Sequence, residues 1–117
     1  MALSPLIFGC SGPLITLEEA KFFSRSQPFG FILFARNLES PSQITELCKN
    51  LRTSVGWNAP IFIDQEGGRV ARLGSPHWYE FQAALIDAHH PCSERLFWLR
   101  GRLIAHNLIS AGVDVNC

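Results

Sequence analysis

The chain has 117 residues, of which 47% are hydrophobic and 17% charged, and its ten basic and ten acidic side chains give zero formal net charge. That length and composition fit one globular domain and exclude a disordered chain. The absence of a basic excess argues against nucleic acid or an anionic membrane surface as partner, and leaves small neutral or zwitterionic ligands open.

The N-terminal run Leu6-Ile7-Phe8-Gly9-Cys10 predicts a short apolar strand over residues 6–10, closed by the turn Ser11-Gly12-Pro13. No basic segment precedes it and Pro5 interrupts it, so it reads as neither a signal peptide nor a lipoprotein site. No run approaches the length needed to span a membrane. Thr16 followed three residues later by Glu19 is a capping box, which starts a helix at Leu17 that runs to about Arg25. Gln27-Pro28 ends it.

Phe29-Gly30-Phe31-Ile32-Leu33-Phe34-Ala35 is continuously apolar without alternation, the pattern of a strand covered on both faces in a parallel sheet. Ser40-Pro41-Ser42-Gln43 forms a second capping box, with Pro41 at the first helical position, where its missing N–H costs nothing. Ile44, Leu47, Cys48, Leu51 and Val55 then share one helical stripe, and Gly56 stops the helix. Behind Pro60, Ile61-Phe62-Ile63 reads as a buried strand.

The next segment is less regular. Phe81 to Ala88 predicts a short helix between Pro76 and Pro91. Ser93 caps a longer one from Glu94 to Ala111, with Leu96, Leu99, Leu103 and Ile104 facing inward. Gly101 weakens that helix by about 1 kcal/mol relative to alanine. Gly112 terminates it, and Val113-Asp114-Val115-Asn116-Cys117 begins another strand. Strict alternation of buried strands and amphipathic helices predicts an α/β fold with a parallel sheet and right-handed crossovers. The sheet closes either as an open doubly wound sheet or as part of a (β/α)8 barrel, which typically needs about 250 residues.

The candidate site is the string Asp64-Gln65-Glu66-Gly67-Gly68-Arg69-Val70-Ala71-Arg72, at the C-terminal end of the third strand. In parallel α/β architectures that end is where ligands bind. Asp64 and Glu66, two apart on extended backbone, point the same way at roughly 6–7 Å, near the separation of paired carboxylates in glycoside hydrolysis. Gly67 and Gly68 permit positive φ and close approach of backbone to a ligand. Arg69 and Arg72 bring forked donors back toward the carboxylates. Such a cluster suits a ligand with vicinal hydroxyls; the competing reading is an ion-pair network that only ties a loop down.

Taken whole, that string resembles the signature of glycoside hydrolase family 3, in its bacterial β-N-acetylglucosaminidase (β-hexosaminidase) branch. The resemblance extends upstream through Gly30-Phe31-Ile32-Leu33-Phe34-Ala35-Arg36-Asn37 and downstream through Ala111-Gly112-Val113-Asp114-Val115, covering nearly the whole chain in register. It implies that residues 1–117 form a partial catalytic-type domain: the N-terminal half of a TIM (β/α)8 barrel, about four strands, incomplete.

It implies removal of terminal β-linked N-acetylglucosamine from muropeptides, with retention, through a covalent glycosyl-enzyme, in cytoplasmic cell-wall recycling. Asp64 would bind sugar hydroxyls with assistance from Arg72, whereas Glu66, Gly67, Gly68 and Arg69 would support the loop. The temptation to read Asp64 and Glu66 as the acid and nucleophile is thereby set aside. In the family a histidine with an aspartate partner, in a Lys-His-Phe-Pro-Gly-His-type segment after strand five, is the acid/base. The nucleophilic aspartate comes near strand seven, so both lie beyond Cys117 and the chain alone is expected to be inactive.

None of the histidines substitutes for them. His77 sits beside Trp78 in a loop, His89-His90 lie in a surface turn, and His106 falls within the last helix. Trp57, Trp78 and Trp98 read as packing rather than sugar platforms. Cys10, Cys48, Cys92 and Cys117 form no C-x-x-C, so reduced buried thiols are expected, with no metal and no cofactor. Half a barrel exposes two strand edges and an apolar face, so two alternatives accompany the enzyme reading. One is a non-catalytic remnant that associates with a complementing chain or with itself. The other is a small nucleotide-binding module, which is weaker because Gly9-Cys10-Ser11-Gly12-Pro13 is not G-x-G-x-x-G.

Overall fold

A computed structural model describes residues 2–117. In chain order the elements are β1 (Ser4–Phe8), α1 (Leu17–Ser26), β2 (Pro28–Leu33), a 3-10 turn (Ala35–Asn37), α2 (Pro41–Val55), β3 (Ile61–Ile63), α3 (Ala84–Ala88), α4 (Ser93–Ala111) and β4 (Val115–Asn116). The strands form one sheet in the order β1-β2-β3-β4, every adjacent pair parallel. A doubly wound sheet reverses its strand order at a switch point. Here spatial order follows chain order without reversal, which is how a barrel is wound.

Local signals place the first two helices. Thr16 accepts from the backbone N–H of Glu19 at 3.1 Å while the Glu19 carboxylate takes the Thr16 N–H at 2.9 Å. Ser40 and Gln43 repeat the arrangement with Pro41 at the helix start. The α2 stripe is buried as its spacing requires: Ile44, Leu47, Cys48 and Leu51 are all within 1% of full burial, with Val55 close behind. They pack with Phe23 of α1, Ile104 and Leu108 of α4, and the strand residues Phe31, Leu33, Ile61 and Ile63 in one core.

β2 is covered on one face only, which corrects the expectation of two covered faces. Phe31 and Leu33 point into the helix-side core, while Ile32 and its register partner Phe62 are part-exposed on the opposite side. Ile7, paired with Gly30, stands 44% exposed there. An apolar run is what a barrel strand needs, since its second face belongs to the barrel interior. Gly30 is required on this face, because an added Cβ would sit 2.6 Å from the Pro60 carbonyl oxygen and 2.9 Å from the Phe62 ring.

Other boundaries differ for physical reasons. β1 ends at Phe8 rather than Cys10, because the Cys10 carbonyl is taken by Arg36 Nε and Asn37 Nδ2, each at 3.0 Å. α3 begins only at Ala84, because the carbonyls of Phe81 and Gln82 accept from Gly68 N–H and Arg100 instead of from a helix. α4 starts at Ser93 behind Cys92, which makes no side-chain cap, so Ser93 is the first helical residue and not its cap. The inward face of α4 is Arg100, Ile104, Leu108 and Ala111; of the residues expected there, Leu99 and Leu103 are exposed. Cys10 and Cys48 are buried as expected, but Cys92 and Cys117 are exposed. No helix among the described residues is long and apolar enough to cross a membrane.

Candidate functional site

β3 delivers Asp64 one residue past its end, at the carboxyl edge of the sheet. Continuing the strand's alternation turns Asp64 toward the open face, beside Phe62, and sends Gln65 into the protein. Asp64 Oδ2 meets an Arg72 terminal nitrogen at 3.1 Å, with each side chain 26% exposed. The Arg72 guanidinium also lies 5.7 Å from the Phe34 ring centre, and its buried Nε has no hydrogen-bond partner among the described residues. Arg36 approaches the same ring at 4.9 Å. The ends of β2 and β3 therefore converge here on one carboxylate, two guanidiniums and an aromatic face.

Gln65 holds the geometry from beneath. Its side-chain oxygen accepts the backbone N–H groups of Arg72 at 2.7 Å and Leu73 at 2.9 Å, and its amide donates to the Leu73 carbonyl at 3.0 Å. Its own N–H donates to Asn116 Oδ1 at 2.8 Å, and Asn116 Nδ2 returns a bond to the Gln65 carbonyl at 2.9 Å. The segment carrying Arg72 is thus fastened both to its own strand end and to β4. Asp114 and Arg52 secure the other end of the β3–β4 pair: Asp114 Oδ2 accepts from Ile61 N–H at 2.8 Å and from Arg52 at 2.7 Å.

Between Asp64 and Arg72 the chain folds into a tight hairpin. Glu66 and Gly67 N–H both donate to the Val70 carbonyl at 3.0 Å, and Gly68 N–H donates to the Phe81 carbonyl at 2.7 Å. Gly67 and Gly68 have φ of 93° and 65°, as their glycine identity permits. The side chains of Glu66 and Arg69 are exposed and make no hydrogen bond or ion pair among the described residues, so only Arg72 turns back to a carboxylate. The loop is held through the Glu66 backbone and both glycines, not through the Glu66 and Arg69 side chains.

Sequence reasoning missed Gln65 and Arg100. Arg100 is 93% buried on α4 and ion-pairs with Asp87 of α3 at 2.9 Å. Its guanidinium also donates to the carbonyls of Gln82, at 2.7 Å, and Glu66. The Gln82 amide bonds to the Asp87 carboxylate. That bond, followed by the Arg100 guanidinium, holds the Asp87 carboxyl below the usual aspartate range against the opposing cost of burial. No local pattern announces Arg100, because its partners lie 13, 18 and 34 residues away.

Three of the four histidines are engaged elsewhere. His77 packs edge-on against Trp78, His89 Nδ1 lies 2.7 Å from the Leu85 carbonyl, and His90 Nδ1 accepts from Cys92 N–H. A depression of about 550 Å³ beside Pro91, Arg95 and Trp98 shares no residue with the Asp64 cluster. The cluster itself is an open corner. A carboxylate flanked by a guanidinium can accept two O–H bonds from a vicinal diol while the arginine donates to a third oxygen.

No protein-family model matches the chain. It is similar to the β-hexosaminidase of Pseudomonas aeruginosa PAO1, with 32% identity over 111 residues, 95% of this chain and 33% of that protein. The β-hexosaminidase of Nitrosomonas eutropha is 40% identical over 120 residues, 99% of this chain and 34% of its own. Among solved structures, NagZ from Neisseria gonorrhoeae in complex with N-trifluoroacetyl-D-glucosamine superposes with a TM-score of 0.86 at 23% identity, over 97% of this chain and 34% of that one. A glycoside hydrolase family 3 β-N-acetylglucosaminidase from Paenibacillus sp. FPU-7 gives 0.81 at 26% identity, over 96% and 22%. The chain spans about a third of the length of the curated relatives it matches. Over that span it is a homologue of the bacterial β-hexosaminidases, and its four parallel strands match the N-terminal part of their TIM-barrel fold.

Proposed function

We propose that this chain carries the sugar-hydroxyl-binding corner of a retaining β-N-acetylglucosaminidase, acting on terminal β-linked N-acetylglucosamine of peptidoglycan fragments in the cytoplasm. The observation that carries the reading is the Asp64–Arg72 pair, half-buried at the carboxyl edge of a singly wound parallel sheet. Asp64 accepts two sugar hydroxyls, and Arg72 fixes the carboxylate and donates to a neighbouring oxygen. Glu66 to Arg69 form the loop that sets the distance between them. The nucleophilic aspartate and the histidine acid/base come from segments outside these 117 residues, so this portion binds and orients but does not cleave.

The test is a chimera that joins these residues to the remaining two thirds of a β-hexosaminidase such as that of Nitrosomonas eutropha. It should hydrolyse aryl β-N-acetylglucosaminides. Asp64→Ala in it should lower kcat/KM by about a hundredfold, roughly 3 kcal/mol, since hydroxyl contacts of this kind strengthen in the oxocarbenium-like transition state. Unchanged activity in Asp64→Ala would refute the site assignment.

A second reading is favoured by the uncovered face and edges of the sheet. Ile7 is exposed and Ile32 and Phe62 part-exposed on one side, and among the described residues β1 and β4 each have an unpaired edge. In that reading the chain is non-catalytic and associates, with itself or with a complementing chain, through those edges. A monomer by size-exclusion chromatography across a wide concentration range would count against self-association.

A further inference from the structure

We propose that Arg100 is a positioning residue for the site loop: its forked guanidinium fixes the Glu66-Gly67-Gly68 backbone, and through it the spacing of Asp64 and Arg72. The inference rests on the reading of that pair as a sugar-binding corner. Its geometric core does not.

α4 presents Arg100, Ile104, Leu108 and Ala111 to the interior. A leucine at position 100 would continue that apolar face, and a buried ion pair is seldom more stabilising than apolar packing of the same volume. What the guanidinium does that leucine cannot is reach three separate segments at once. One terminal nitrogen donates to the Gln82 carbonyl at 2.7 Å and to the Asp87 carboxylate at 2.9 Å. The other donates to the Glu66 carbonyl. The Phe81 ring lies 5.6 Å beneath the guanidinium carbon.

The loop is shaped around that contact. A Cβ at Gly67 would strike the Arg100 guanidinium, and one at Gly68 would sit 2.8 Å from the Ala83 Cα. Gly68 N–H already bonds to the Phe81 carbonyl, so the hairpin and the 81–82 segment are stapled together on both sides of the guanidinium. From the hairpin only Ala71 separates Val70 from Arg72, so a displacement of the Glu66 carbonyl moves Arg72 relative to Asp64. Lysine keeps the charge but is a point donor, and it cannot serve Asp87 and Glu66 together.

The experiment is native-state amide exchange by NMR on the 117-residue protein and its Arg100→Lys variant, with the α2 amides of Leu47 and Leu51 as the measure of global opening. The expected result is exchange at Gly67 and Gly68 about tenfold faster, with the α2 amides unchanged, because a charge-assisted contact to the loop is lost while the pair with Asp87 is kept. Unchanged Gly67 and Gly68, or equal acceleration at all four amides, would overturn the proposal. Should Arg100→Lys fail to fold, Asp87→Asn weakens the anchor of the same guanidinium. It should give the same local pattern at smaller amplitude, and uniform or absent acceleration would again overturn it. N-acetyl-D-glucosamine titrated into both proteins separates this inference from the functional reading. A failure of the unmodified protein to respond would remove the sugar and leave the exchange result standing, whereas binding that Arg100→Lys leaves unchanged would overturn the positioning role.

Discussion

Replacing Gln65 with leucine keeps the side chain's size and removes its polarity, which isolates how the Arg72 segment is held. Three hydrogen bonds disappear, two of them accepted by the Gln65 oxygen from Arg72 and Leu73 and one donated to the Leu73 carbonyl. At about 1 kcal/mol net for each bond, with a further penalty for the Leu73 groups left buried and unpaired, the loss comes to roughly 3–5 kcal/mol. A domain of this size has a total stability of roughly 6–18 kcal/mol, so the loss is a substantial share of it. Urea denaturation followed by far-UV circular dichroism measures it directly. A loss below about 1 kcal/mol would refute the reasoning, because it would mean that water or neighbouring groups satisfy the Leu73 backbone without the glutamine. Gln65→Glu sharpens the test. It keeps the accepting oxygen but turns a second oxygen on the Leu73 carbonyl. An ionised carboxylate only accepts, so the bond to the Leu73 carbonyl becomes an oxygen–oxygen repulsion. Gln65→Glu should therefore be destabilised in the same urea assay even though the bonds from Arg72 and Leu73 N–H are kept.

Gly30→Ala should destabilise the fold by about 1–3 kcal/mol in the same urea assay, because the added methyl meets the Pro60 carbonyl and the Phe62 ring inside the β2–β3 pair. A thiol reagent at neutral pH should modify Cys92 and Cys117 rapidly and Cys10 and Cys48 only after unfolding, since burial pushes the last two thiols from an ordinary 9.0 up to about 11. Those raised values carry a sign: stability is fully present below pH 9 and falls as pH rises toward about 11, which an alkaline series of melting curves would reveal. Asp87 acts in the opposite direction. Its lowered pKa gives stability that is present above the ordinary aspartate value of 3.8 and lost as pH falls through its folded value, and Asp87→Asn should blunt that acid sensitivity.

What the sequence revealed follows from the range of the interactions. α2 was legible in full because its signals are local: Ser40, Pro41 and Gln43 fix its start, Gly56 its end, and the apolar stripe its buried face. The order of strands and helices was legible for the same reason, and the barrel-type winding followed from the resemblance carried by the Asp64–Arg72 string and was confirmed by strand order. α4 was misread because apolar residues surround it. Leu96, Phe97, Trp98, Leu99, Leu103, Ile104, Leu108 and Ile109 leave periodicity little to decide: Ile104 faces inward as expected, but Arg100 joins it there in place of Leu99 and Leu103. Its partners are brought to it by tertiary structure alone, as are those of the fully buried Asn37, whose amide bonds to Cys10 and Gly12 across 25 or more residues, whereas Gln65 serves Arg72 and Leu73 across the adjoining hairpin. A buried polar side chain that serves the backbone of a distant loop leaves no pattern in its own neighbourhood.

The proposed joint binding of sugar hydroxyls by Asp64 and Arg72 can be tested on the chain itself. The most direct measurement is an amide-resolved NMR titration of the protein and its Asp64→Asn variant with N-acetyl-D-glucosamine. One open corner of a site supports an affinity in the millimolar range, about −3 to −4 kcal/mol. Saturable shifts are expected at Gly67, Gly68 and Arg72 in the unmodified protein, and their loss in Asp64→Asn. Shifts absent at high sugar concentration, or identical in the two proteins, would contradict the proposed binding.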